Sequence, residues 1–401
     1  MKFVLAPDSF KGTMSAARVA SIMADAVHAV FPDAQCLEIP MADGGEGTTQ
    51  SLVDALAGEL RTAAVTDALG HSREAHFGWI PAERLAVVEI AQAAGIEHIA
   101  AADRDPRSAT TRGVGQLLTH ILDLEPARII VGLGGSATND GGWGMARELG
   151  VRVFDSQGES LADRPLELAR AQRLDVSGLD PRWAAVEITL ACDVNNPLTG
   201  PNGASAVFGP QKGLSETDVS IFDSALAVWG DLLDSHAQQA GVAHAPTQIS
   251  KTPGAGAAGG LGAAFMALFG ATPRRGVELV IDTVRLGEHL RNAHIVFTGE
   301  GSIDFQTKFG KTPWGVMRAA REQGIPTIAF AGNLGHGVEE LHDAGFSAIV
   351  PTVRKVGTLA DALANAEKSL FEAVRMTCRI LATSVSESRH LTQQDCKEEK
   401  P

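Results

Sequence analysis

The sequence predicts an α/β protein made of two α/β domains, one of them divided in the chain. Three observations predict it. Apolar runs of four to seven residues alternate with amphipathic stretches. Clusters of glycine follow many of those runs, and 43 glycines in 401 residues exceed the average usage of roughly 7%. The strand–helix rhythm of the first 60 residues returns near the C-terminus, whereas the middle of the chain reads differently. The ends therefore read as one discontinuous, doubly wound parallel-sheet domain, 1–60 plus 286–383, with a mixed α/β domain, 61–285, inserted into it. Residues 384–401 are polar, lack periodicity and are expected to form a disordered tail.

The elements follow in order. "KFVLA" (Lys2–Ala6) reads as a buried strand, cut short by Pro7 and Asp8 before it reaches the length of a signal peptide. Ser15 is placed to cap a helix running to Phe31, because Val19, Ile22, Met23, Ala26, Val27 and Val30 recur near helical spacing. "QCLEIPMADGGEG" is a second strand opening into a glycine–acid loop, with a helix over Thr48–Ala57. Arg61–Ile80 has a turn signal at Leu69-Gly70 between strand-like arms and predicts a β-hairpin. Arg84–Ala91 and the run entering "VGLGGSATNDGG" are strands, as is "AAVEITLACD" ahead of a Gly/Asn/Pro loop. Ile221–Gly241 is an amphipathic helix, and Pro253–Gly270 passes from a loop into a small-residue helix. Strands at Ala293–Gly301, Pro326–Asn333 and Phe346–Val353, a helix over Pro313–Gly324 and a long helix over Leu359–Leu381 complete the pattern.

Charge and composition narrow the function. A net charge of −14 opposes non-specific binding to nucleic acid, which depends on neutralising phosphates. Any anionic ligand must be held by local devices, such as glycine nests, a few Lys or Arg, or Mg²⁺. No apolar run has the length of a membrane span. Cys36, Cys192, Cys378 and Cys396 lack metal-like spacing, and reduced thiols in a cytoplasmic protein are expected. The oligomeric state is left open, with a homodimer among the options.

Open α/β sheets bind ligands at the carboxyl ends of their strands, and five polar loops fall there. "PDSFKG" offers Asp8, Ser9 and Lys11, which suit a phosphate, a metal or a substrate hydroxyl, or alternatively a turn opening a helix. "MADGGEGT" sets Asp43 and Glu46 around Gly44 and Gly45, where the glycines allow close approach of backbone to an anion or simply a capped turn. "VGLGGSATNDGG" brings Gly134 and Gly135. Its Gly132, Gly134 and Ala137, with Asp155 further on, also fit a dinucleotide fingerprint. This gives a rival reading as an NAD-dependent hydroxy-acid dehydrogenase, opposed by the glycines after Asp140, which would break the required helix. "ACDVNNPL" offers Asp193 as a general base beside Asn195, or an Asx-turn before Pro197. "GEGSIDFQTKFGKT" ends like a P-loop but has eight residues between Gly301 and Gly310 where a P-loop has four. Here Glu300 and Asp304 could hold Mg²⁺ while Lys311 touches a phosphate. Arg107 or Arg112 is a candidate to hold a substrate carboxylate.

Taken with "APDSFKGTMSA", "CDVNNPLTGPNGA" and "FGPQKG", these motifs resemble the bacterial glycerate kinase family, in order, over about Met1–Leu381. The resemblance implies a flavodoxin-like domain and a distinct mixed α/β domain with the site between them. It also implies transfer of the γ-phosphoryl group of ATP, with Mg²⁺, to D-glycerate, giving 2-phosphoglycerate in the closest branch. Transfer to the other hydroxyl, giving 3-phosphoglycerate, and a non-catalytic hydroxy-acid sensor remain alternatives. Two departures stand out: Arg112, where similar sequences tend to carry a smaller or aromatic residue, and the longer polar tail. In this frame Asp193, Lys11 and Lys311 are the expected catalytic residues. Asp8, Ser9, Asp43, Gly44, Gly45, Glu46, Gly134, Gly135, Asn195, Arg107 and Arg112 are expected to bind substrate or phosphate, and Glu300 and Asp304 to bind metal.

Overall fold

The computed structural model describes residues 1–398, with side chains described to residue 383. Its strands, in chain order, are β1 (Lys2–Leu5), β2 (Gln35–Glu38), β3 (Glu59–Thr66), β4 (Ser72–Ile80), β5 (Leu85–Glu89), β6 (Arg128–Gly132), β7 (Arg152–Phe154), β8 (Arg173–Asp175), β9 (Glu187–Ala191), β10 (Thr272–Arg274), β11 (Ile295–Ile303), β12 (Thr327–Leu334) and β13 (Ala348–Pro351). The chain divides into two compact units, residues 1–43 with 280–401 and residues 44–279.

The first unit holds a parallel sheet in the order β13-β12-β11-β1-β2. Counted within the unit this is the flavodoxin-like order 2-1-3-4-5, which reverses direction between β1 and β11. Both faces are covered by helices, so β1 is a run of apolar residues, Phe3, Val4 and Leu5 fully buried. The helix Ala16–His28 begins where the sequence placed its cap: the Ser15 hydroxyl accepts from the Arg18 N–H. Its buried face of Val19, Ile22, Met23, Ala26 and Val27 joins Phe297, Phe330, Leu370 and Val374 in one core. The C-terminal helix spans Ala366–Glu398. Its backbone thus continues past residue 384, where the sequence suggested a disordered tail; the side chains of 384–398 and all of 399–401 lie outside the described residues.

The second unit holds a mixed sheet in the order β10-β9-β6-β5-β4-β3. Strands β10, β9, β6 and β5 are parallel, and β5, β4 and β3 are antiparallel neighbours. The predicted hairpin is β3–β4. Its turn is tied by Asp67, whose Oδ1 accepts from the Leu69 and His71 N–H groups. The helix Thr48–Ala55 packs on β4 and β5 and belongs to this unit, whereas the sequence rhythm grouped it with the first strands. The helix Glu216–Ala240 starts earlier than its apolar spacing suggested, because Ser215 caps it by accepting from the Asp218 N–H.

Strand β11 runs on through Ile303 rather than stopping at Gly301. Parallel pairing with β12 persists to Ile303↔Leu334, so Glu300 stands on a strand and not in a loop. Gly299 is required there, since a Cβ would lie 2.4 Å from the Phe330 carbonyl oxygen.

Candidate active site

In the first unit the strand ends at the sheet's reversal point assemble an acid–lysine centre. Asp8, just past β1, is buried; its Oδ1 accepts from the Ser9 N–H at 2.6 Å and its Oδ2 from the Thr312 hydroxyl at 2.5 Å. Burial, with the neighbouring Asp43 charge, pushes the Asp8 carboxyl up to about 6. Glu300, on β11, accepts from the Thr307 hydroxyl at 3.2 Å and from Lys311 Nζ at 3.3 Å. Burial pushes the Glu300 carboxyl up to about 7, Lys311 opposing the rise and Asp8 adding to it. Lys311 occupies the N-cap position of the helix Thr312–Glu322, with extended backbone and no side-chain capping hydrogen bond. Lys11 is exposed on the turn after β1, its backbone close to Gly301, where a Cβ would sit 3.6 Å from the Lys11 nitrogen.

Asp304 has another task. Its carboxylate accepts from the Gln306 N–H at 2.8 Å and closes a capping box with Thr307, standing 4.0 Å from Lys311. Among the described residues no group of three or more His, Cys, Asp or Glu is arranged to hold a metal ion. Mg²⁺ usually takes one or two carboxylates beside phosphate oxygens and water. Of the predicted pair, Asp304 is taken up by its capping box, and Glu300, with the Asp8 charge beside it, is the carboxylate that suits such chemistry.

In the second unit the Gly44 loop and the start of the helix Gly276–Thr283 pack at the carboxyl ends of β6 and β9. A Cβ on Gly44 (φ +90°) would lie 2.6 Å from Gly276 Cα and 3.2 Å from Ala191 Cβ, and one on Gly132 would lie 3.2 Å from the Gly44 carbonyl oxygen. Gly44 therefore needs both its positive φ and its lack of a side chain. Asp193 is exposed beyond β9, and its Oδ1 accepts from the Gly276 N–H at 3.1 Å. Asn195 and Glu46 are exposed on their loops, and Gly134 and Gly135 are exposed beyond β6.

Several expectations meet competing contacts. Two N–H groups of the Gly44–Thr49 turn, those of Gly47 and Thr49, donate to the buried carboxylate of Glu89, which thereby occupies the start of the helix Thr48–Ala55. Burial raises the Glu89 carboxyl and these hydrogen bonds lower it, with a net rise. The Arg107 guanidinium is paired with Asp218, and Arg112 with Asp163 at 2.8 Å and Glu148 at 3.9 Å. Asp140 is fully buried, accepting from the Thr111 N–H and hydroxyl and from the Gly142 and Gly144 N–H groups. Glu89, Thr312 and Lys212 were missed from sequence. Glu89 hid as the last apolar-looking step of a strand, and Lys212 as one lysine in a loop.

The dinucleotide reading fails on local structure. Residues 133–142 lead from β6 to a short helix, Trp143–Glu148, so no helix starts at the glycines to receive a pyrophosphate. Asp155, the acid of that fingerprint, instead accepts from the Gln157 and Glu159 N–H groups in a turn.

The sequence profile described as "Glycerate kinase family" matches residues 3–382. The chain belongs to the glycerate kinase family. It is 42% identical over 382 residues to a glycerate kinase of Haemophilus influenzae, covering 95% of this chain and 99% of that one. It is 40% identical over 382 residues to the glycerate 2-kinase of Escherichia coli K12, covering 95% and 98%. Its fold superposes with a TM-score of 0.85 on the crystal structure of a chain described as glycerate kinase 2 from Salmonella typhimurium LT2, at 42% identity and covering 97% and 99%. The chain is thus an enzyme of the glycerate kinase type, a phosphotransferase with an alcohol acceptor. Among the described residues no helix is long and apolar enough to cross a membrane.

Proposed function

We propose that this glycerate kinase family member transfers the γ-phosphoryl group of ATP to the C2 hydroxyl of D-glycerate, giving 2-phosphoglycerate. The observation that carries the reading is the centre of buried Asp8 and Glu300 with half-buried Asp43 and Lys311 at the reversal point of a flavodoxin-like sheet. Phosphoryl transfer asks the protein for alignment and charge neutralisation more than for covalent chemistry. Carboxylates held against their own repulsion favour a divalent cation, and Lys311 and the nearby Lys11 supply fixed or mobile positive charge for a transferring phosphoryl group. Glu300 and Asp8 are the residues that would hold Mg²⁺, which when bound would neutralise phosphate oxygens.

Asp193 is the candidate to orient or deprotonate the glycerate hydroxyl. Its hydrogen bond to the Gly276 N–H uses one carboxylate oxygen and fixes the side chain's direction. The choice of the 2-position is supported by the relative named glycerate 2-kinase. A coupled assay for ADP with D-glycerate and ATP tests the activity, and phosphorus NMR of the product tests the position. Glycerate-independent ADP release, or a 3-phospho product, would each overturn its part of the reading. A soluble cytoplasmic setting is part of the same proposal.

A further inference from the structure

Lys212 is a lysine in the wrong place for solubility: it is 3% exposed, and burial pushes its ammonium down to about 7, with Asp140 opposing the fall. Its Nζ donates to Ser136 Oγ at 2.7 Å and to the Thr138 carbonyl at 2.6 Å. Both partners belong to the loop after β6, next to the exposed Gly134 and Gly135. That loop is gripped from its other side too: the Gly141 N–H donates to the Gly259 carbonyl, and a Cβ on Gly259 would lie 2.0 Å from the Thr138 carbonyl oxygen. An apolar residue at 212 would avoid the desolvation cost of a buried cation. The lysine therefore calls for a reason other than packing.

The reason lies in what the lysine does to the serine. While Lys212 is protonated its Nζ only donates, so the hydroxyl hydrogen of Ser136 then points to another acceptor. None of the described hydrogen bonds uses it as a donor, and Ser136 is 6% exposed. The same loop also carries two buried oxygens that have no partner at all, Thr138 Oγ1 and Asn139 Oδ1. Unspent polar capacity of this kind is rare in a folded interior. Here it gathers at the carboxyl edge of a parallel sheet, where such folds take ligands.

We infer that Ser136 is a ligand-binding residue whose hydroxyl donates to an anionic oxygen of a bound substrate, and that Lys212 is the positioning residue that aims it. The anionic oxygen belongs either to the carboxylate of the hydroxy acid or to a phosphate of the nucleotide. The inference rests on the proposed kinase reading for the identity of those two ligands.

Titration calorimetry of D-glycerate and of ADP into wild type, Ser136→Ala, Lys212→Met and the double variant tests it without needing turnover. Ser136→Ala should weaken one ligand by roughly 10- to 100-fold, the range for a hydrogen bond to a charged group, and leave the other unchanged. Which ligand is weakened identifies the source. Lys212→Met should weaken the same ligand, and the double variant should lose little more than either single one, because the lysine acts through the serine. Ser136→Thr, which keeps the hydroxyl, should restore binding to within a few-fold of wild type. Unchanged affinity for both ligands in Ser136→Ala, or equal losses for both together with a lowered Tm, overturns the inference. So do additive losses in the double variant. Should Lys212→Met fail to fold, Lys212→Gln takes its place with the same expectations. Failure of wild type to release ADP from ATP and glycerate would count against the kinase reading, while the calorimetric contrast would still decide the role of Ser136.

Discussion

Replacing Glu300 by Gln should remove part of the chain's pH-dependent stability. Glu300 titrates near 7 in the folded chain against an ordinary value of 4.5. A carboxyl whose folded pKa is raised favours the folded state fully below its unfolded pKa and loses that preference as pH rises through the folded value. The window is therefore pH 4.5 to 7, and at about 1.4 kcal/mol per pH unit the whole loss is about 3 kcal/mol. The Gln variant has no such loss. Asp8, itself raised to about 6, remains in both proteins and cancels to first order. Urea unfolding of wild type and Glu300→Gln, measured in steps from about pH 5 to pH 8, should show the variant gaining on wild type as pH rises. Parallel stability curves across that range would show that Glu300 is not held in its neutral form by the fold, and the account of the acid–lysine centre would fall with it.

Three other outcomes are expected. Asp193→Asn should lower kcat by about 10²- to 10⁴-fold, the usual contribution of a positioned acid or base, with unchanged urea unfolding; near-normal turnover would remove Asp193 from the chemistry. Lys311→Met should lower kcat by about 10²-fold or more through lost charge stabilisation, and steady-state kinetics with saturating ATP separate this from weakened binding. Gly44→Ala should destabilise by at least about 1–2 kcal/mol from its left-handed backbone alone. The new Cβ, 2.6 Å from Gly276 Cα, should also part the loops and reduce kcat, so unfolding and activity assays should both register it.

Much of the fold was legible because its signals are local. The Ser15 cap, the Asp67–Gly70 turn and the alternation of apolar runs each depend on residues a few positions apart. Boundaries moved where partners far along the chain decided them. Pairing with β12 carried β11 through Glu300 to Ile303, and contact with β4 and β5 drew the helix Thr48–Ala55 into the second unit. The candidate site was half legible. Asp8, Lys11, Asp43 and Asp193 lie in loops that follow strands, as the sequence suggested, whereas Glu300 lies within β11 and Lys311 at the start of a helix. Arg107, Arg112 and Asp304 suited an anion or a metal by type alone, and the fold gives them to Asp218, to Asp163 with Glu148, and to a capping box.

By itself the sequence determined the class of the fold, the loops that carry polar chemistry and the family those loops resemble, since each is written in residues adjacent in the chain. Only the tertiary structure decided which of those polar groups are buried, and therefore which charges are costly. Asp8 and Thr312, 304 positions apart, share a 2.5 Å hydrogen bond, and Lys212 and Ser136, 76 apart, share one of 2.7 Å. Burial and charge pairing depend on distance through space, and spacing along the chain does not encode that distance.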